Sequence, residues 1–239
     1  SLPLTLCDDS FSPLSSSLAA PTPSRVRTLS SRHPDRGCRF FHMSDPIKLL
    51  RACYRGVDGF DIPNHDVRTV ARSKGSSTYG ELMPSATSKL LAALELDADD
   101  VFYDLGAGVG KVVLLAAATT SVRRAIGVEL AASRCAQAER AFAAARRSGL
   151  AGVRRAAIVP ADLLTLDMRD ATVAYTCSTA FSTPFMRKLT KRLATLPALR
   201  LLASLQDLDP HPAFEPIRVL RLDASWKRRT AVHIYRRVR

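Results

Sequence analysis

The chain lacks the cysteine patterns that organise many small domains. Its five cysteines, Cys7, Cys38, Cys53, Cys135 and Cys177, form no CxxC pair and no Cys/His group at metal-ligand spacing, which argues against a structural zinc or other metal site and for a reduced compartment. Long apolar runs are also missing. Stretches such as residues 112–118 fall far short of the roughly 20 residues that span a bilayer, so a soluble protein with no membrane partner is predicted. Acids are scarce: 22 Asp and Glu stand against 35 Lys and Arg, a net charge of +13. Such an imbalance suits polyanions or acidic protein surfaces. The excess gathers late, in Arg187, Lys188, Lys191 and Arg192, then Lys227, Arg228 and Arg229, then Arg236, Arg237 and Arg239.

What is present divides the 239 residues into three parts. Residues 1–43 are rich in Ser, Pro and Arg, carry only Asp8, Asp9 and Asp35 as acids, contain no Lys and show no hydrophobic period, so little structure is predicted there. The chain opens on Ser1, Met43 stands as an internal start, and the leader also suits an organellar transit peptide; these readings stay open. Residues 44–98 read as a small helical cap. Ser44 caps a helix with Ile47, Leu50 and Tyr54 on one face, a polar loop with Gly59, Pro63 and Asn64 follows, and a later helix turns Leu90, Leu91, Leu94 and Leu96 inward.

From residue 99 short strands alternate with helices, the pattern of a doubly wound parallel sheet. Strands are predicted near 101–105, 124–129, 155–160, 172–177, 199–205, 215–223 and 230–237, and helices near 109–120, 131–148 and 182–196. No helical segment separates the last two strands, so they are predicted to pair as an antiparallel hairpin. The expected fold is α/β, a Rossmann-like sheet of seven mostly parallel strands.

The strand 101–105 runs into Gly106, Gly108 and Gly110 and then an apolar helix, the layout of a nucleotide site in which glycines let the backbone approach a ligand. The glycines are spaced GxGxG rather than the GxGxxG of dinucleotide enzymes, and Asp104 stands just ahead of them. A carboxylate there repels a pyrophosphate and suits a ligand with a cationic end, such as the amino group of methionine. Glu129 closes the next strand, 19 residues beyond Gly110, where a carboxylate binds both ribose hydroxyls. Asp162 follows the third strand, placed to accept from an adenine amino group, and Leu163 is placed to pack on the ring. Together these point to S-adenosyl-L-methionine.

Three blocks resemble the disruptor-of-telomeric-silencing type of histone lysine methyltransferase, the non-SET class that modifies a nucleosomal lysine. Thr78-Tyr79-Gly80-Glu81 resembles that family's loop over the methionine end of the cofactor, and residues 100–113 with Gly127-Val128-Glu129 are similar to its glycine motif. Ser225-Trp226, ahead of a final strand ending in Tyr235, resembles its closing hairpin. The resemblance implies that Tyr79 and Glu81 close the methionine end, that Trp226 and Phe181 wall the lysine channel, and that Lys111, where the family commonly has Gln, reaches the methionine carboxylate. It further implies a nuclear protein-lysine N-methyltransferase acting on a histone in a nucleosome, and the basic clusters of the C-terminal region add an expected nucleic-acid contact. The chain departs from the family at Thr176-Cys177-Ser178-Thr179-Ala180-Phe181, where side-chain amides are lost, and at His233, which falls where the family has a channel tyrosine. Thr-Cys-Ser also occurs in RNA cytosine methyltransferases, but their Pro-Cys element is absent, and Cys177 reads as a small strand-end residue. Two other readings stay open: a methyltransferase for a non-histone, organellar protein lysine, and a non-catalytic module that binds the cofactor or nucleic acid.

Overall fold

The computed structural model describes residues 46–238. The chain divides into two units, Ser1–Arg39 and Phe40–Arg239, and the described residues belong to the second. The leader 1–43, the Ser44 cap and the Ile47 side chain lie outside what is described.

Among the described residues, seven strands form one sheet in the order β3-β2-β1-β4-β5-β7-β6: β1 Val101–Leu105, β2 Arg124–Glu129, β3 Ala156–Pro160, β4 Val173–Thr176, β5 Leu201–Ser204, β6 Phe214–Leu222 and β7 Thr230–Arg237. The first five run parallel, and β7 runs antiparallel to both β5 and β6. The predicted seven-stranded α/β sheet with its closing hairpin is therefore the observed one. All five residues of β1 are buried, as expected for a strand covered on both faces. The chain winds outward from β1 to β3 and then returns to lay β4 on the other side of β1. That reversal opens a crevice at the carboxyl ends of β1 and β4, the position at which open α/β sheets bind ligands.

The described residues also form six α-helices: α1 Pro46–Cys53, α2 Asn64–Arg72, α3 Pro84–Leu94, α4 Lys111–Thr119, α5 Ala132–Arg147 and α6 Thr183–Leu193. Helices α1, α3, α4 and α5 cover the face that carries Phe102, Ala125, Val173, Ala203 and Ile234. On the opposite face, α6 and the segment 163–171 pack on Val101, Tyr103, Ile126, Ala174 and Leu202. Two small-residue positions set the packing distance on the first face. The Ala-rich buried stripe of α5 and Gly127, which a Cβ would crowd against Ala107, Ile158 and Val113, let both helices settle close to β2.

The polar loop expected around Gly59, Pro63 and Asn64 stops at Pro63, and α2, where no helix is predicted, begins at Asn64 with Pro63 as its cap. Its sequence has few apolar residues, and its stability comes from elsewhere in the fold. Asp66, 2% exposed, accepts the Ser133 N–H at the start of α5 at 2.9 Å.

A second buried acid joins three strands below the crevice. Asp100 accepts from Thr172 Oγ1 at 2.7 Å, from Arg200 Nε at 2.9 Å and Nη2 at 2.6 Å, and from the Asp97 N–H at 3.1 Å. The first residues of β1, β4 and β5 are thereby held level. Arg200 keeps 41% of its side chain exposed, so loss of Asp100 removes hydrogen bonds without burying a lone charge, at a cost of about 1–3 kcal/mol. Asp100→Ala is expected to lower unfolding stability by that order in urea titrations; a loss under about 0.5 kcal/mol would show that the network is not structural.

Candidate functional site

The carboxyl edge of the sheet gathers the predicted residues into one place. After β1 the chain turns back so that the N–H groups of Gly106 and Ala107 donate to the Val128 carbonyl at 2.9 and 3.0 Å. Gly106 and Gly108 have φ of +84° and +55°, a region costly for residues with a Cβ. A side chain at 106 would press on Phe181, and one at 108 would collide with the Tyr79 ring. Gly110, also at positive φ, does not face this space. A Cβ there would sit 2.7 Å from Phe142, so the missing side chain at this position admits α5.

Glu129, 7% exposed, ends β2 with both oxygens engaged. Oε2 accepts the Gly108 N–H at 2.9 Å, while Oε1 accepts the N–H groups of Leu130 and Ala131 at 3.0 and 2.9 Å. With two acceptor sites on each oxygen, Oε1 is filled and Oε2 keeps one site for a hydroxyl. Asp162 follows β3 and accepts the Leu164 N–H at 2.8 Å. Glu129, Asp162, Leu163, Gly106, Tyr79, Phe181 and Trp226 all line a cavity of about 400 Å³.

A small inner chamber continues toward the sheet, lined by Tyr79, Glu81, Asp104, Lys111, Tyr175 and Cys177. Asp104 is 2% exposed, and no hydrogen-bond donor reaches its carboxyl group among the described residues. Burial, and secondarily the Glu129 charge, push its pKa up to about 8. A buried acid with no donor is a site for a cation. The Cys177 thiol donates to the Gly80 carbonyl at 3.4 Å and is pushed up to about 12, first by burial and then by Asp104. It stays a neutral thiol at physiological pH and offers no nucleophilic thiolate.

The loop over this chamber is held from both sides. Tyr79 donates to Glu81 Oε2 at 2.9 Å, and Glu81 Oε1 pairs with Lys111 Nζ at 2.6 Å. Residues 81–83 also pair with the tip of the β6–β7 hairpin: Ser225 N–H donates to the Glu81 carbonyl at 2.8 Å and Met83 N–H to the Asp223 carbonyl at 2.9 Å. Trp226, 44% exposed, lies against Gly80, where a Cβ would collide with its ring. His233, aligned with a channel tyrosine, does not line the cavity. It stands 3.6 Å from Asp207 and stacks on Tyr235.

Sequence reasoning missed Arg134. This arginine is 3% exposed and lies on α5, where it donates to the Gly59 carbonyl at 2.9 Å and the Ser77 carbonyl at 2.7 Å. Its guanidinium also lies 4.9 Å from the Tyr79 ring centroid. The outer wall of the cavity, including Val70, Ser73, Gly75, Ser76 and Thr78, is thus tied to α5. One signal was available: Arg134 shares a helical stripe with Ala138, Ala141 and Ala145, and a charge on a buried stripe requires partners.

Comparison with known proteins was made against this geometry. The family model described as "Histone methylation protein DOT1" matches residues 65–211. A "Histone-lysine N-methyltransferase, H3 lysine-79 specific" of Caenorhabditis elegans is 37% identical over 65 residues, covering 27% of this chain and 7% of that protein. A "Protein-lysine N-methyltransferase" of Saccharolobus islandicus is 34% identical over 85 residues, covering 36% of this chain and 50% of that protein. The chain thus spans half or less of the length of these relatives. Among solved structures, an RNA methyltransferase from Salinibacter ruber in complex with S-adenosyl-L-homocysteine has a TM-score of 0.50 at 23% identity, over 64% of this chain and 91% of that one. A magnesium protoporphyrin IX methyltransferase from Synechocystis PCC 6803 with bound SAM has a TM-score of 0.52 at 13% identity, over 82% of this chain and 92% of that one. These two likenesses concern the fold.

The Asp104 environment has a pH signature. Its carboxyl ionises near 8 in the fold against a reference of 3.8, so the unfolded chain gives up this proton first and the fold loses stability as pH rises through that window. Asp104→Asn, which is neutral throughout, is expected to match the ligand-free parent in melting temperature near pH 4. Its advantage should then grow up to about pH 8 and stay level above it. A pH-independent difference in calorimetry would show that Asp104 is not held neutral.

Proposed function

The chain belongs to the histone methylation protein DOT1 family, and we propose that it transfers a methyl group from S-adenosyl-L-methionine to a lysine of a protein, a core-histone lysine in the nucleosome above all. The observation that carries this reading is the buried Asp104 carboxyl without a donor, set beside a glycine turn and below a mouth walled by Trp226 and Phe181. The residues fit the cofactor. In this reading Asp104 takes the ammonium of the methionine end and Lys111 its carboxylate, exchanging its pairing with Glu81. Gly106 and Gly108 give the close backbone approach, and Gly110 contributes by seating α5. Glu129 accepts from a ribose hydroxyl, Asp162 from the adenine amino group, and Leu163 packs on the ring.

When bound, the cofactor supplies an activated methyl group for in-line displacement. The protein's part is positioning and the exclusion of water. Tyr79 and Glu81 close the methionine end. Trp226 and Phe181 desolvate the incoming lysine, which lowers its pKa and favours the neutral nucleophilic amine. On this reading residues 99–239 are the catalytic domain and residues 44–98 its closing segment, working in the nucleus.

The basic clusters divide in two. Arg192 and Arg237 bond backbone carbonyls of Leu166 and Ala194, Arg187 pairs with Asp209 and Arg236 with Glu215. Lys188, Lys191, Lys227 and Arg228 are exposed. The hairpin tip beside Trp226 is the part that suits nucleic-acid contact at the substrate.

Glu129→Ala is expected to weaken S-adenosylmethionine binding by about 1.5–3 kcal/mol, since a charged acceptor is lost; an unchanged dissociation constant in calorimetry would remove the ribose assignment. Labelled methyl transfer to intact nucleosomes, free histones and nucleosome-depleted lysate should place label on a nucleosomal lysine. Label on another protein alone would keep the enzyme and favour the non-histone target. Nucleosome binding through Lys227 and Arg228 should fall steeply with salt, and salt-independent binding would reduce this patch to a solvated face.

A further inference from the structure

The inner chamber contains a polar group with no assigned task. Tyr175 on β4 is the register partner of Asp104 on β1, so the two side chains leave the same face of the sheet at the strand reversal. Tyr175 is 1% exposed, and among the described residues its hydroxyl has no nitrogen or oxygen partner; only the Cys177 sulfur, a weak acceptor, lies beside it. The Cys177 thiol, two residues on and therefore on the same face of the chain, directs its proton to the Gly80 carbonyl instead. An orphan hydroxyl in a closed core is a standing cost that a phenylalanine of the same shape would avoid. The chamber it lines is shared with Asp104, Glu81 and Lys111.

We infer that Tyr175 is a ligand-binding residue of this site: its hydroxyl accepts a hydrogen bond from the ammonium of the amino-acid end of an S-adenosyl ligand, beside the Asp104 carboxylate. The inference rests on the cofactor reading above and adds a contact that the acids at the strand ends do not supply. A hydroxyl can serve here because burial, followed by the nearby Cys177 thiol and Asp104, keeps the phenol well above its ordinary ionisation range. It therefore stays neutral and does not add a second buried charge next to Asp104. An ammonium has three donors, so the carboxylate and the hydroxyl do not compete for one proton. Asp104 supplies the charge and Tyr175 the direction.

The test compares two ligands on the purified chain and on Tyr175→Phe. S-adenosylhomocysteine carries the ammonium, and 5′-methylthioadenosine has the same nucleoside without an amino-acid end. The variant should bind S-adenosylhomocysteine about 10–100-fold more weakly, as expected for loss of a hydrogen bond to a charged group, and bind methylthioadenosine unchanged. Its ligand-free melting temperature should equal or exceed that of the parent, because the orphan hydroxyl is gone. Equal affinity of parent and variant for S-adenosylhomocysteine would overturn the inference and leave the cofactor reading intact. Equal losses for both ligands, or an unfolded variant, would make the hydroxyl structural and overturn it too. If the unaltered chain binds neither ligand, the cofactor reading falls and this inference with it.

Discussion

The Glu129 carboxylate holds three backbone N–H groups, one from the glycine turn and two from the start of α5. Everything above the sheet edge depends on that arrangement. The turn could not otherwise keep Gly108 near β2, because its glycines resist no distortion of their own. The same carboxylate fixes where α5 begins, and so where Ser133, Arg134 and Gln137 point. It also places a negative charge near Asp104, which reinforces the effect of burial in keeping that acid neutral. A single side chain thus shapes the turn, orients a helix and sets the electrostatics of the neighbouring chamber.

From α5 the constraint passes to the outer wall. The Asp58 N–H donates to Gln137 Oε1 at 2.8 Å, Gly59 and Ser77 give their carbonyls to Arg134, and Asp66 accepts from Ser133. These contacts lie at both ends and in the middle of a segment with little apolar surface of its own. The segment is held mainly through its backbone, which leaves the side chains lining the cavity free to differ in size. Tyr79 closes the series, stacked under the Arg134 guanidinium and edge-on to Phe60.

The sheet was legible because each parallel strand is a short apolar run bounded by a turn, and burial on both faces demands that composition. The acids were legible for the same reason: Asp104, Glu129 and Asp162 interrupt or follow apolar runs, where a charge needs a purpose. The seating of α5 against Gly110 was not legible, because a glycine that admits a helix and one that admits a ligand have the same signature. Helix α2 was missed because its support comes from Asp66 and α5, a tertiary tie that local periodicity does not report. Arg134 and Tyr175 were overlooked because each resembles its neighbours in type, an arginine in a basic chain and an aromatic in a buried strand, and only their partners, or lack of them, distinguish them.

The pairing of residues 81–83 with 223–225 had no local signal at all, since 144 positions separate Glu81 from Ser225. Its consequence is mechanical. The loop that covers the inner chamber and the hairpin tip that carries Trp226 share backbone hydrogen bonds and the contact of the indole with Gly80. Displacement of one displaces the other. The cover of the inner chamber and the indole at its mouth are therefore one connected piece. The exposed Lys227 and Arg228 belong to that same tip, so an acidic partner that engages them acts directly on the element that completes the site. The charge imbalance of the sequence and the geometry of the chamber meet at these few residues.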